Sequence, residues 1–104
     1  MHGAVMRLEG SLLKKTGLAW EKRKCSVENF RFNYLSRHTS SKSLDLVDVE
    51  RVDIVSEDRL EFAIHMKSRG SKSRSFRALS KQEFKSWTIG LQQYVAMAQA
   101  FYDL

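Results

Sequence analysis

The stretch from Gly10 to Val27, GSLLKKTGLAWEKRKCSV, holds five bases, Lys14, Lys15, Lys22, Arg23 and Lys24, and one acid, Glu21, around a single tryptophan, Trp20. A second run, KSRGSKSR from Lys67 to Arg74, adds Lys67, Arg69, Lys72 and Arg74 with no acid. Ammonium and guanidinium groups at this density attract polyanions: phosphomonoesters, anionic lipid, nucleic acid or an acidic protein face. Spacing sharpens the chemistry. On an extended strand residues i and i+2 share a side, so Glu21 and Arg23 face one way while Lys22 and Lys24 face the other.

Other chemistries find little support. No carboxylate pair has general acid–base spacing, and neither a nucleophile elbow nor a phosphate-cradling glycine loop occurs, so the chain is not expected to be an enzyme. Cys25 is the single cysteine and His2, His38 and His65 are scattered, which leaves no ligand set for a metal and no disulfide. Cys25 lies in an alternating segment and reads as a small core residue. No cofactor is expected.

The formal net charge of +6 is unevenly spread. Between the two basic segments, Asp45, Asp48, Glu50, Asp53, Glu57, Asp58 and Glu61 are offset only by Arg51 and Arg59, so the folded molecule is expected to be electrically polarised if the basic segments meet. No apolar run approaches the roughly 20 residues of a membrane-spanning helix. The first residues, MHGAVMRLEG, lack the apolar core of a secretory signal, and a cytoplasmic location is expected.

The elements that must position these charges follow from hydrophobic period. The 104 residues suit one domain, 1–104, with 42% hydrophobic residues and no proline-marked linker. Alternation dominates from about residue 5 to residue 79. Leu8, Gly10 and Leu12 share a face, Cys25 and Val27 another, and Phe30, Phe32 and Tyr34 a third. Candidate strands at 43–47, 49–55, 60–66 and 74–79 bring the number to about seven, separated by polar breaks at 16–19, 36–42, 56–59 and 67–73. From Ser80 the period changes. Ser80 and Glu83 form a capping-box pattern, and Phe84, Trp87, Leu91, Tyr94, Val95, Ala98 and Phe101 then draw one apolar stripe along a helix over about 81–102. Gly90 interrupts that helix at a cost of roughly 1 kcal/mol relative to alanine, which predicts close packing against a strand.

This order of elements, mainly β with a closing helix, resembles the pleckstrin homology (PH) family: a seven-stranded antiparallel barrel or sandwich capped by a C-terminal α-helix. Gly10-Ser11-Leu12-Leu13-Lys14 is similar to the family's first strand, Trp20 with Arg23 to its second, Phe62-Ala63-Ile64 to its sixth, and Ser80, Glu83, Trp87 and Leu91 to the start of its helix. The resemblance spans about residues 8 to 95. It implies a headgroup pocket for inositol phospholipids, built from a lysine late in the first strand and a basic-x-arginine pair in the second. Carried over, Lys14 takes the first position and Arg23 the arginine position, while Glu21 stands where the other base is expected.

A carboxylate there repels phosphate and pairs with Arg23. The expected site is therefore the opposite side of the hairpin, at Lys22 and Lys24, joined by Lys15, Lys72 and Arg74 in a basic rim. Several bases near an anionic leaflet, each contributing about 1 kcal/mol, support weak, reversible binding without a fitted pocket. Leu18, Ala19 and Trp20 offer shallow insertion, and packing on the barrel is the alternative for Trp20. The implied function is a non-catalytic membrane-targeting or adaptor module for phosphoinositide or anionic lipid, peripheral on the cytoplasmic face of a membrane. The alternative is a protein-interaction scaffold of the same fold without a specific lipid. Nucleic acid ranks third, because Phe30, Phe32 and Phe76 sit at core-facing positions rather than interleaved with the bases.

Overall fold

The computed structural model describes residues 7–35 and 41–102, and the positions 36–40 inside the predicted break at 36–42 lie outside them. Seven strands form one antiparallel sheet: β1 (Glu9–Thr16), β2 (Ala19–Glu28), β3 (Arg31–Leu35), β4 (Ser41–Asp45), β5 (Val49–Ser56), β6 (Glu61–Met66) and β7 (Arg74–Arg77). Their order across the sheet is β4-β3-β2-β1-β7-β6-β5. The sheet curls into a half-barrel, and the helix α1 (Lys81–Tyr102) follows it. Mainly β architecture with a C-terminal helix is thus the fold, as the periodicity implied.

Alternation decides which side of each strand enters the barrel. Leu12, Cys25, Val27, Phe32, Tyr34, Phe62, Ile64 and Phe76 are all buried, and those within β2, β3 and β6 stand two residues apart. Phe32 lies edge-on to Phe76 at 5.2 Å and to Trp87 of the helix at 5.9 Å, so the indole of Trp87 joins the strand aromatics in one cluster. Gly90 meets Leu8, just ahead of β1: a Cβ on residue 90 would lie 2.8 Å from a Leu8 methyl. The glycine lets the helix approach the sheet, which outweighs its propensity cost.

Helix α1 starts where the pattern placed it, with Ser80 Oγ accepting the Glu83 amide at 3.1 Å. It also covers the β5 edge. Gln92 Nε2 donates to the Val52 carbonyl at 3.2 Å, and Gln99 Nε2 to those of Val47 and Val49 at 3.1 and 3.3 Å, satisfying backbone groups that have no neighbouring strand. Phe101, expected in the buried stripe, is exposed at the helix end.

Several boundaries differ from expectation. The first break is only Gly17-Leu18, with Gly17 at φ +64, a two-residue turn with positive φ at its first position that keeps β1 and β2 paired to their ends. Phe30 does not belong to the third strand. It shares a two-residue turn with Asn29 at φ +58 and +52, and its ring packs edge-on to Tyr94 and Phe101, each at 5.9 Å, which offsets the strain of an aromatic in the left-handed region. The fourth strand starts at Ser41, inside the predicted break, and ends at Asp45. There the Asp45 carboxylate accepts the Val47 amide at 3.2 Å and turns Leu46–Asp48 into a single 3-10 turn. Leu60 falls in the turn before β6, at φ +56.

Candidate functional site

Register places the basic residues on two surfaces. In the β1–β2 hairpin, Leu12 opposes Arg23, Leu13 opposes Lys22, Lys14 opposes Glu21 and Lys15 opposes Trp20. Leu12 and Cys25 are buried inside the half-barrel, so by alternation Lys14, Thr16, Glu21 and Arg23 share that inner side, nearer the hairpin tip, and line its mouth. Lys15, Lys22 and Lys24 point outward and are exposed. β7 pairs with β1 through Lys14 opposite Phe76, and Arg74, two residues before Phe76, returns to the inner side beside Lys14.

The mouth is electrostatically lopsided. Lys14 Nζ stands 5.7 Å from the ring centre of Tyr34 and 6.0 Å from that of Phe76, above the aromatic floor of the barrel. Burial, then the charges of Arg74 and Arg23, hold its ammonium below the ordinary lysine range. A cation pressed by two further cations gains from any anion that enters. Glu21 partly offsets this: its carboxylate lies 3.6 Å from Arg23 Nη2 and accepts the Thr16 hydroxyl at 3.0 Å. Arg23 is additionally tied to the Lys22 carbonyl at 3.0 Å, and Arg74 Nη1 donates to the Lys72 carbonyl at 3.2 Å.

The structure therefore brings Lys14, Arg23 and Arg74 together and leaves Lys15, Lys22 and Lys24 on the far side of the sheet, with Lys72 exposed in the loop between β6 and β7. On that outer side the Arg77 guanidinium stacks 4.0 Å from the centre of the Trp20 ring and contacts Glu61 at 3.3 Å. Trp20 is thus half-buried on the barrel wall, whereas Leu18 at the hairpin tip is fully exposed. Sequence reasoning missed the stacking of Arg77 on Trp20, the floor made by Tyr34 and Phe76, and the meeting of Arg74 with Lys14 on the inner side rather than on the outer rim. All three depend on register between strands distant in sequence.

Cys25 is sealed in the core, where burial pushes its thiol up to about 12. Among the described residues no group of His, Cys, Asp and Glu could hold a metal ion, and no helix is long and apolar enough to cross a membrane. The mouth offers fixed positive charge and hydrogen-bond donors. That suits holding a phosphorylated anion.

The PH domain family matches residues 6–96 of this sequence. Among solved structures, the chain is similar to the PH domain of human oxysterol binding protein-related protein 11, with TM-score 0.78 and 20% identity over 95% of this chain and 88% of that one. It is similar to the PH domain of human TBC1 domain family member 2, with TM-score 0.66 and 20% identity over 99% and 88%. It also resembles the DH/PH domain of human ARHGEF11 in a ternary complex with human RhoA and its inhibitor, with TM-score 0.74 and 20% identity over 86% of this chain and 28% of that one. No curated protein matches the sequence closely. The chain belongs to the PH domain family, whose fold commonly mediates lipid or protein binding and is generally non-catalytic.

Proposed function

We propose that this PH domain binds phosphorylated anions, inositol phospholipid headgroups foremost, with low affinity at the cationic mouth, and so associates peripherally with the cytoplasmic face of a membrane. The observation that carries the reading is Lys14, standing over Tyr34 and Phe76, its charge made costly first by burial and then by Arg74 and Arg23. A phosphomonoester carries close to two negative charges and accepts several charge-assisted hydrogen bonds, so it relieves the mutual repulsion of these three groups. The geometry supports the inner site over the outer side of β2. Lys22 and Lys24 have no comparable enclosure, and with Lys15 and Lys72 they supply long-range attraction to an anionic leaflet. Affinity is low because Glu21 already draws on Arg23.

A second reading, a protein-interaction scaffold without a specific lipid, draws support from an apolar groove of about 410 Å³ lined by Phe30, Val47, Ala98, Phe101 and Tyr102. Sedimentation with phosphatidylcholine vesicles containing a phosphoinositide, phosphatidylserine or neither, at low and physiological salt, tests the choice. Binding to the phosphoinositide vesicles that exceeds binding to charge-matched phosphatidylserine vesicles, and that inositol hexakisphosphate competes away, is expected. Failure to sediment with any anionic vesicle would hand the function to the scaffold.

A further inference from the structure

The loop joining β6 and β7, residues 67–73, carries Lys67, Arg69 and Lys72, no acid, and three serines, Ser68, Ser71 and Ser73. Its first half is a tight turn. The Ser71 amide donates to the Ser68 carbonyl at 3.2 Å, and Gly70 sits at φ +80, the positive φ that the third position of a type II turn requires. Beyond it, Ser71, Lys72 and Ser73 belong to no helix or strand and are exposed, the state in which a chain segment fits an enzyme's cleft. The same segment leads directly into the mouth. Ser73 is followed by Arg74, whose guanidinium folds back onto the Lys72 carbonyl at 3.2 Å and whose charge presses on Lys14. The β1–β7 pairing ends at Lys14 opposite Phe76, and Ser73 immediately precedes Arg74, the first residue of β7, on the side of that pairing nearer the hairpin tips.

We propose that Ser73 is a phosphoryl acceptor for a basophilic protein kinase, and that its phosphate folds back onto Arg74 and Lys14 and closes the mouth to other anions. The proposal rests on the anion-binding reading above and adds its regulation. In the transfer, Ser73 Oγ attacks the γ-phosphorus of ATP. The new Oγ–P bond forms as the bond from that phosphorus to the β–γ bridging oxygen breaks, ADP leaves, and the hydroxyl proton passes to the kinase's base. The bases at 69, 72 and 74 give the segment the charge that an acidic kinase cleft selects. The product adds close to two negative charges and three acceptor oxygens beside Arg74 and Lys14, whose charges press on each other, which is the arrangement in which a phosphate docks rather than disrupts. It then acts as a tethered competitor, present at an effective concentration far above that of a membrane ligand.

The test uses the whole chain with phosphoserine incorporated at position 73, or at position 71 as control. Phosphorus NMR titration reads docking directly. The second ionisation of phosphoserine, ordinarily near 6, is expected at least about half a unit lower at position 73 than at position 71, with the difference abolished by Arg74→Gln. Affinity for inositol hexakisphosphate is expected to fall about tenfold or more with phosphoserine 73 and less than about threefold with phosphoserine 71. Treatment of the unmodified domain with basophilic kinases and ATP is expected to label Ser73, read by mass spectrometry. Equal ionisation at the two positions, undiminished affinity, or a Ser73 that every such kinase leaves unmodified would each overturn the proposal. If the unmodified chain binds no inositol hexakisphosphate, the anion-binding function fails by itself, and the phosphorus titration still decides whether Ser73 phosphate docks.

Discussion

The inner side of β2 changes character within a few residues. Val27 and Cys25 are buried in the core, while Arg23 and Glu21, further along the same face, stand in the mouth. Burial acts on both halves, but on groups of opposite charge type. It raises the Cys25 thiol, keeping it neutral, and lowers the Lys14 ammonium, making its charge costly. The closed half uses burial to exclude charge, and the open half uses it to leave charge unsatisfied. The closed half confers stability, and the mouth gathers the charges on which the proposed anion binding rests.

The most severe way to break this division is at the lid of the closed half. Trp87 is 3% exposed and edge-on to Phe32, so Trp87→Ala leaves a large cavity and should cost about 3–5 kcal/mol, much of the stability of a small domain. Urea denaturation measures it. A midpoint close to the parent's would show that the helix does not close the core.

Alkaline pH tests the sealed half more finely. Cys25 has its folded value raised from 9.0 to about 12, so its contribution is fully present below 9.0 and is lost as pH rises from there towards about 12. In that window the unfolded chain has released the thiol proton and the folded chain retains it, so stability falls by about 1.4 kcal/mol per pH unit. Lys14 works in the opposite direction. With its folded value depressed, the folded chain binds fewer protons in the window just below the ordinary lysine value of 10.5, and stability rises with pH there. Urea titrations of the parent and Cys25→Ala at several pH values separate the two. Cys25→Ala starts less stable and loses less on alkalinisation, and parallel curves for the two proteins would contradict the sealed thiol.

The contrast between inner and outer bases predicts unequal losses in ligand affinity. Lys14→Gln or Arg74→Gln removes one charge-assisted contact and should weaken inositol hexakisphosphate binding about tenfold, some 1.4 kcal/mol. Lys22→Gln with Lys24→Gln removes more charge but only from the outer side, and at physiological salt, where screening acts over about 8 Å, should weaken it less than about threefold. Calorimetric titration that returns the reverse order would move the site to the outer face.

How far the sequence reveals this arrangement depends on whether a signal is local. The helix was legible because Ser80, Glu83 and the stripe from Phe84 to Ala98 lie within a few turns of one another. The strands were legible by alternation, except where a side chain with a distant partner overrides the local pattern. Phe30 reads as a strand residue until Tyr94 and Phe101 are seen to hold its ring, and Ser41 and Lys42 read as a loop until β3 pairs with them. The candidate site suffered most. Glu21 alone argues against an inner pocket, and only the pairing of Lys14 with Phe76 shows that Arg74, sixty residues along the chain from Lys14, enters the same space.

Glu21 gives the smallest and most discriminating effect. Its carboxylate does two opposed things at the mouth: it orients Arg23 at 3.6 Å, with the Thr16 hydroxyl at 3.0 Å, and it cancels part of the positive charge that an anion would meet. Glu21→Gln keeps the size and a hydrogen-bond acceptor for Thr16 but removes the charge. If cancellation dominates, affinity for inositol hexakisphosphate rises several-fold, by roughly 1 kcal/mol or less, because the contact is partly open to solvent and screened. If orientation dominates, Arg23 swings away and affinity falls. Repeating the titration in Arg23→Gln separates the cases: the gain from Glu21→Gln should shrink when Arg23 is absent, since part of it comes from releasing that guanidinium. An undiminished gain would mean that Glu21 acts on the ligand directly and that its ion pair with Arg23 has no bearing on affinity.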